Sequence, residues 1–293
     1  MIELARLEFR CRWEQAPPAN HLGRALNAWL YGALARCDER LVDALHDGAG
    51  HRPFAVALVS EPPEEHLILS GGPAIAHLLS DLAQGLLREG RLLLDGRWLR
   101  VEGLVSARTE RFATLVQRHL LRAAAPVPVR LTFRTPTTFH SRDRTLPLPV
   151  PDVLFLSLLQ RWQAWGGIDL GPGAEATISG CAAIRRHRLQ SVSVQMEGRF
   201  AAFVGMAEFT LVRPEPGYAG LLAALAAFAE FAGVGQKTAM GMGCVRAELL
   251  PPATARPPTA TAPAARAAGP RFTPRRDAAR AGPDRAHVKG EVP

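Results

Sequence analysis

Residues 233–243, GVGQKTAMGMG, set four glycines (Gly233, Gly235, Gly241 and Gly243) around Lys237, the one lysine in the first 250 residues. Glycine accepts positive φ and close backbone approach, so successive N–H groups of such a loop can turn toward an oxyanion, with Lys237 as a charged donor and Thr238 beside it. Holding phosphate is the chemistry this spacing suits. Two familiar phosphate loops do not fit. A dinucleotide fingerprint needs a third glycine three places after the second, at a helix start, where this chain has Thr238. A P-loop needs glycine directly before Lys-Ser/Thr, and here Gln236 precedes Lys237. Further basic residues of the right type are Arg134 and Arg142, flanking the turn FRTPTTFHSR, and the cluster Arg185, Arg186 and Arg188 with His187. By type alone that cluster reads equally as the basic start of a strand. The four cysteines (Cys11, Cys37, Cys181 and Cys244) lie far apart without a C-x-x-C pair, which points to buried thiols rather than to a disulfide framework or zinc.

The elements that must position this loop follow from periodicity. Residues 2–13 alternate as a strand, and HLGRALNAWLYGALARC has apolar residues at helical spacing. DERLVDALH predicts a second short helix, capped by Asp38 and ended by Gly48. RPFAVALVS and HLILS read as strands, GGPAIAHLLSDLAQGLLREG as a helix with Pro73 in its first turn, and RLLLDGRWLRVEGLVSARTE as a strand-like run. The order is βαββαβ. It recurs after residues 111–125: VPVRLTFRTPTTFH as a strand, PDVLFLSLLQRWQAWGG as a helix, two strands joined at Glu197-Gly198-Arg199, the apolar helix YAGLLAALAAFAEFAGVG, and MGCVRAELL as a last strand. The expectation is an α+β protein of tandem ferredoxin-like domains over residues 1–122 and 123–250, with the glycine-rich loop near the end of the second.

A glycine-rich loop in that place resembles the one in the repeat-associated RNA-binding (RAMP) superfamily of CRISPR proteins. More narrowly, GVGQKTAMGMGCV is similar to the C-terminal signature of the sixth Cas protein family, the endoribonuclease that cuts precursor CRISPR RNA within its repeats. FRTPTTFHS and LLQRWQAWGG resemble that family's strand, turn and helix at the start of its second domain. The run from Tyr31 to Val59 aligns Tyr31, His46 and Arg52 with the Tyr, His and Lys of some members' catalytic sets.

The resemblance implies RNA cleavage without a metal or other cofactor, by attack of a 2′-OH on the adjacent phosphate to leave a 2′,3′-cyclic phosphate and a 5′-OH. His46 would serve as general acid or base, Tyr31 as its partner at the 2′-OH or the leaving oxygen, and Arg52 as donor to the non-bridging oxygens. On one straight helix Tyr31 and His46 would stand about 22 Å apart, so a break at Cys37-Asp38 is required. His51 flanks the same turn and competes with His46, and HDGAGH offers too few ligands of fixed geometry for a metal. The implied partner is CRISPR repeat RNA, with a CRISPR effector complex and a homodimer left open. The alternative is a noncatalytic RAMP-type RNA-binding subunit.

Charge and hydropathy bound the rest. The chain has a net charge of +8, but residues 251–293 carry eight basic against three acidic residues, leaving the body at +3. That Pro/Ala/Arg-rich tail buries too little apolar surface to offset its ordering entropy and is expected to be disordered. With 47% hydrophobic residues, no membrane-length apolar run and no signal-peptide pattern at the N-terminus, the chain reads as globular and cytoplasmic.

Overall fold

A computed structural model describes residues 3–19, 21–47, 52–141, 144–196 and 198–251; within 39–47 the side chains of Ala44, His46 and Asp47 are also outside the description. The expectations for Gly48 as a helix stop and for the 251–293 tail fall on residues not described, apart from residue 251.

The first half runs β1 (Leu4–Trp13), α1 (Gly23–Ala35), α2 (Glu39–Asp47), β2 (Phe54–Glu61), β3 (Glu64–Gly71), α3 (Leu79–Glu89), β4 (Arg91–Leu94) and β5 (Arg97–Glu110). A short helix α4 (Phe112–Leu115), continuing into a π-helical turn to Leu120, leads to β6 (Val129–Thr137), the small hairpin β7 (Phe139–Ser141) and β8 (Arg144–Leu146), α5 (Pro151–Ala164) and α6 (Ala174–Cys181). Then come β9 (Ala182–Gln195), β10 (Arg199–Leu211), α7 (Leu221–Ala232), a 3-10 turn at Thr238–Met240 and β11 (Val245–Leu249).

Two antiparallel sheets result, ordered β2-β3-β1-β5-β4 and β11-β6-β10-β9. With β4 set aside as a hairpin partner of β5, both sheets have the same order, with the fourth strand of the βαββ(α)β cycle beside the first and the second at the far edge. This is the ferredoxin-like arrangement, twice. Alternation decides the faces: Ala5, Leu7, Phe9 and Cys11 of β1 are buried toward the helices, as are Val129, Leu131 and Phe133 of β6. The second core is built around α7, where ten of twelve residues are buried, because α5 covers one side and strands of both sheets approach it from others. Phe112, Trp162 and Phe228 meet edge-on or tilted with centroids 4.6 to 5.7 Å apart.

Four local expectations change. The strand-like run 91–110 is a hairpin, turned at Asp95-Gly96, both at positive φ as a two-residue turn requires. α3 begins at Leu79, six residues after Pro73, because Pro73 to Leu78 form turns that tuck Ile75 into the core. α6, read as loop, is helical and buries Ala174, Thr177 and Ile178. The Thr/Pro segment expected as a turn continues β6 to Thr137 and leads through Thr138 into the β7–β8 hairpin.

Candidate nucleic-acid interface

The glycine loop is a packed structure. Gly233, Gly235, Gly241 and Gly243 all lie at positive φ, between 67° and 82°, and Lys237 is itself left-handed at 56°. A Cβ on Gly243 would fall 1.9 Å from the Val234 carbonyl oxygen, and one on Gly235 would fall 2.3 Å from that of Thr138. The amides of Val234, Gln236 and Gly243 donate to the carbonyls of Gly243, Thr138 and Pro136 at 2.9 to 3.0 Å. Gly233, Thr238, Gly241 and Gly243 are buried, whereas Gly235 is half-buried and Lys237 exposed. What glycine supplies here is the close approach of protein to protein; the ammonium of Lys237 is the part of the loop that faces solvent.

Beneath the loop lies a residue that the sequence reading passed over. Arg161 of α5 is buried, and its guanidinium donates to the carbonyls of Ala232 (2.7 Å), Gly233 (2.9 Å) and Gly235 (2.9 Å). Burial draws its pKa down to about 10, so it stays charged at neutral pH. The signal was present: Leu154, Leu158, Arg161, Trp162 and Trp165 share one helical face, and an arginine on an apolar face must have partners.

Above the loop is α1. Asn27 Nδ2 donates to the Ala239 carbonyl at 3.0 Å, and Gly23 approaches so closely that a Cβ there would lie 2.4 Å from the Met240 carbonyl oxygen. Eight residues further along α1, about 12 Å, is Tyr31, buried and edge-on to Phe54 at 5.4 Å. Burial raises the Tyr31 pKa, and the nearby Arg52 charge pulls it partly back. The Arg52 guanidinium donates to the Leu45 carbonyl in the last turn of α2, and its own carbonyl accepts from Trp165 Nε1 at 3.2 Å. α2 is separated from α1 by a break at residues 36–38, and Asp38 Oδ1 caps it by accepting from the Leu41 amide at 3.1 Å. Arg52 is thus fixed at the last turn of α2, and Tyr31, packed on Phe54, feels its charge. His46 follows Leu45 in the chain; its side chain and His51 lie outside the described residues.

The arginines divide into two kinds. Arg134 is only 14% exposed and is ion-paired with Glu61 at 2.8 Å and Glu8 at 3.4 Å, across the two halves. It lines a cleft of about 460 Å³ between the sheets, where Arg6, Arg108, Arg134 and Arg246 face four glutamates, so the cleft's charge is balanced. Arg185, Arg186 and Arg188 are exposed on β9, an edge strand. The ladder shifts there: Ile184 pairs with Phe209 and Arg186 with Glu208, leaving Arg185 in a bulge. Arg142 lies outside the described residues. Among the described residues no group of three or more His, Cys, Asp or Glu is placed to hold a metal ion.

Comparison with known proteins bears on this geometry. Residues 131–245 match the sequence model of the CRISPR-associated endoribonuclease Cas6 family. The CRISPR-associated endoribonuclease Cas6 of Mycobacterium tuberculosis is 35% identical over 125 residues, which are 42% of this chain and 40% of that protein. The chain therefore aligns with well under half the length of that curated relative. Among solved structures, a Cas6 (TTHB231) product complex superposes with a TM-score of 0.70 at 26% identity, covering 85% of this chain and 100% of the other. Thermus thermophilus Cas6 (TTHB231) superposes with a TM-score of 0.64 at 25% identity, covering 85% and 99%. The matched segment runs from β6 to the start of β11 and so contains both Arg161 and the glycine loop it holds, while the superposition reaches over both sheets; over that segment by sequence, and over both sheets by fold, the chain is similar to Cas6 endoribonucleases.

Proposed function

We propose that this chain is an endoribonuclease that cuts precursor CRISPR RNA within its repeats, and that residues 1–122 carry the chemistry while residues 123–250 carry the glycine-rich grip. The observation that carries the reading is the corner formed by Tyr31, Arg52 and the last turn of α2, set on the same helix that caps the glycine loop.

In this reading the RNA supplies its own nucleophile. A 2′-OH attacks the adjacent phosphorus as its proton passes to a base; the bond from phosphorus to the 5′ oxygen breaks, and that oxygen takes a proton. The products are a 2′,3′-cyclic phosphate and a 5′-OH, with no water consumed and no metal required. His46 is the proton carrier, because an imidazole in water titrates near 6.5 and can give or take a proton near neutrality. Burial keeps Tyr31 a neutral phenol, suited to donate to the leaving oxygen. Arg52 stabilises the charge that grows on the non-bridging oxygens. Lys237, the exposed arginines of β9 and Arg142 hold the phosphate backbone. This reading places the work in the cytoplasm and leaves a CRISPR effector complex and a homodimer open as partners.

The test is incubation of wild type and His46→Ala with a labelled repeat RNA in EDTA, with analysis of the product ends. The expected result is site-specific cleavage to a 2′,3′-cyclic phosphate, slowed roughly 10² to 10⁴-fold in the variant while binding persists. Binding without cleavage by the wild type would replace this reading with a noncatalytic RNA-holding subunit.

A further inference from the structure

A second depression, apart from the Tyr31 corner, lies at the other end of α1. It has a volume of about 340 Å³ and is bounded by the end of β1, the start of α1, the β2–β3 hairpin, Thr135-Pro136 of β6 and Gly241 of the glycine loop. Much of its lining is apolar: Trp13, Pro17, Pro18, Leu22, Leu26 and Leu58. Polar groups converge on this slot. Glu65 accepts from the Ser60 hydroxyl at 3.1 Å and from the Trp13 side chain, which holds the carboxylate in place and leaves it acceptor capacity. His21 Nδ1 accepts from the Gly23 amide at 3.0 Å, so the proton of the neutral ring sits on Nε2 as a donor. Burial favours that neutral form of His21.

We propose that this slot holds one unpaired nucleobase of the bound RNA, a base bearing an exocyclic amino group, stacked on Trp13 with its edge read by Glu65 and His21. The inference rests on the RNA reading given above and deepens it. Three observations carry it. A largely apolar depression with a few donors and acceptors in its lining has the composition of a small-ligand site, and its volume of about 340 Å³ lies at the small end of such sites, as a single base would need. A carboxylate repels phosphate and accepts from amino and ring N–H groups, so Glu65 selects a base edge rather than the backbone. The rim is made by Gly241 and by Thr135-Pro136, so the slot opens beside the loop that carries Lys237. Aromatic stacking of a splayed-out base is the general means by which single-stranded RNA is read.

The experiment measures repeat-RNA affinity with single abasic substitutions at each unpaired position, for wild type, Trp13→Ala and Glu65→Gln. For wild type, one position should lose roughly 5- to 150-fold in affinity when its base is removed. The same removal should cost Trp13→Ala almost nothing more. Replacing that base by uracil should weaken wild type but leave Glu65→Gln nearly unaffected; this isosteric variant keeps the test open if Trp13→Ala does not fold. Abasic and uracil profiles that are identical for wild type and Glu65→Gln overturn the slot and leave the RNA reading standing. A folded wild type that binds no repeat RNA overturns both.

Discussion

Replacing Arg161 by methionine removes the donor from three carbonyls at once, the buried ones of Ala232 and Gly233 and the half-buried one of Gly235, while keeping an unbranched side chain in α5. An acceptor orphaned by loss of its partner costs about 1 to 3 kcal/mol, so three amount to about 6 kcal/mol at the middle of that range. Part of this is returned, because the guanidinium no longer has to be buried. Its pKa falls from 12.5 to about 10 on burial, a desolvation cost of about 3 kcal/mol. The net expectation is a loss of about 3 kcal/mol, or a fall in Tm of roughly 6 to 12 °C for a body of this size. Thermal and urea unfolding measure it. Hydrogen exchange at Val234, Gln236 and Gly243, whose amides close the loop, should quicken before exchange in β10 does. Arg161→Lys keeps the charge but presents one compact ammonium to three separated carbonyls, so an intermediate Tm is expected. An Arg161→Met protein with a Tm within about 2 °C of wild type and unchanged loop exchange would refute the clamp.

Two further outcomes follow from the same geometry. Gly243→Ala forces a Cβ to within 1.9 Å of the Val234 carbonyl oxygen at a φ of 68°, so stability and RNA affinity should both fall. Gly85→Ala, inside α3 with open space around it, should instead raise stability by about 0.5 to 1 kcal/mol; a reversed order of the two Tm values would sink the packing account. Alkaline pH should weaken the fold through its buried thiols. Burial raises the Cys11 pKa from 9.0 to about 12, so above pH 9 the unfolded chain releases a proton that the folded chain retains, and stability falls as pH rises toward 12. Between pH 8 and 10.5 Cys11 contributes a loss of about 2 kcal/mol, and Cys244, raised in the same direction, adds to it. Urea midpoints of wild type and Cys11→Ala over that range check this, and parallel curves for the two proteins would contradict it.

Much of the fold was legible because its signals are local. The alternation in β1, the aspartate that caps α2, the apolar helices α5 and α7 and the glycine spacing after α7 are all patterns within a dozen residues. The hairpin at Asp95-Gly96 was also legible, since Asp-Gly between apolar runs is a strong turn signal, although the continuous reading of 91–110 missed it. α6 was not, because AEATISGC has only a weak apolar face and is stabilised by what it packs on.

The candidate site divides in the same way. Residue types and spacing pointed to Lys237 and its four glycines, to the basic run on β9 and, by resemblance, to Tyr31, His46 and Arg52. They left open that Gly235 and Gly243 face protein carbonyls, that Arg134 is held by Glu8 and Glu61, and that Arg161 reaches more than 70 residues along the chain to carry the loop. Sequence by itself determined most of the elements, their βαββαβ order and the chemistry available, because periodicity and turn preference act between near neighbours. Only the tertiary structure decided which arginines are spent on carboxylates and carbonyls and which stay exposed, because burial and pairing depend on contacts between residues far apart in the chain.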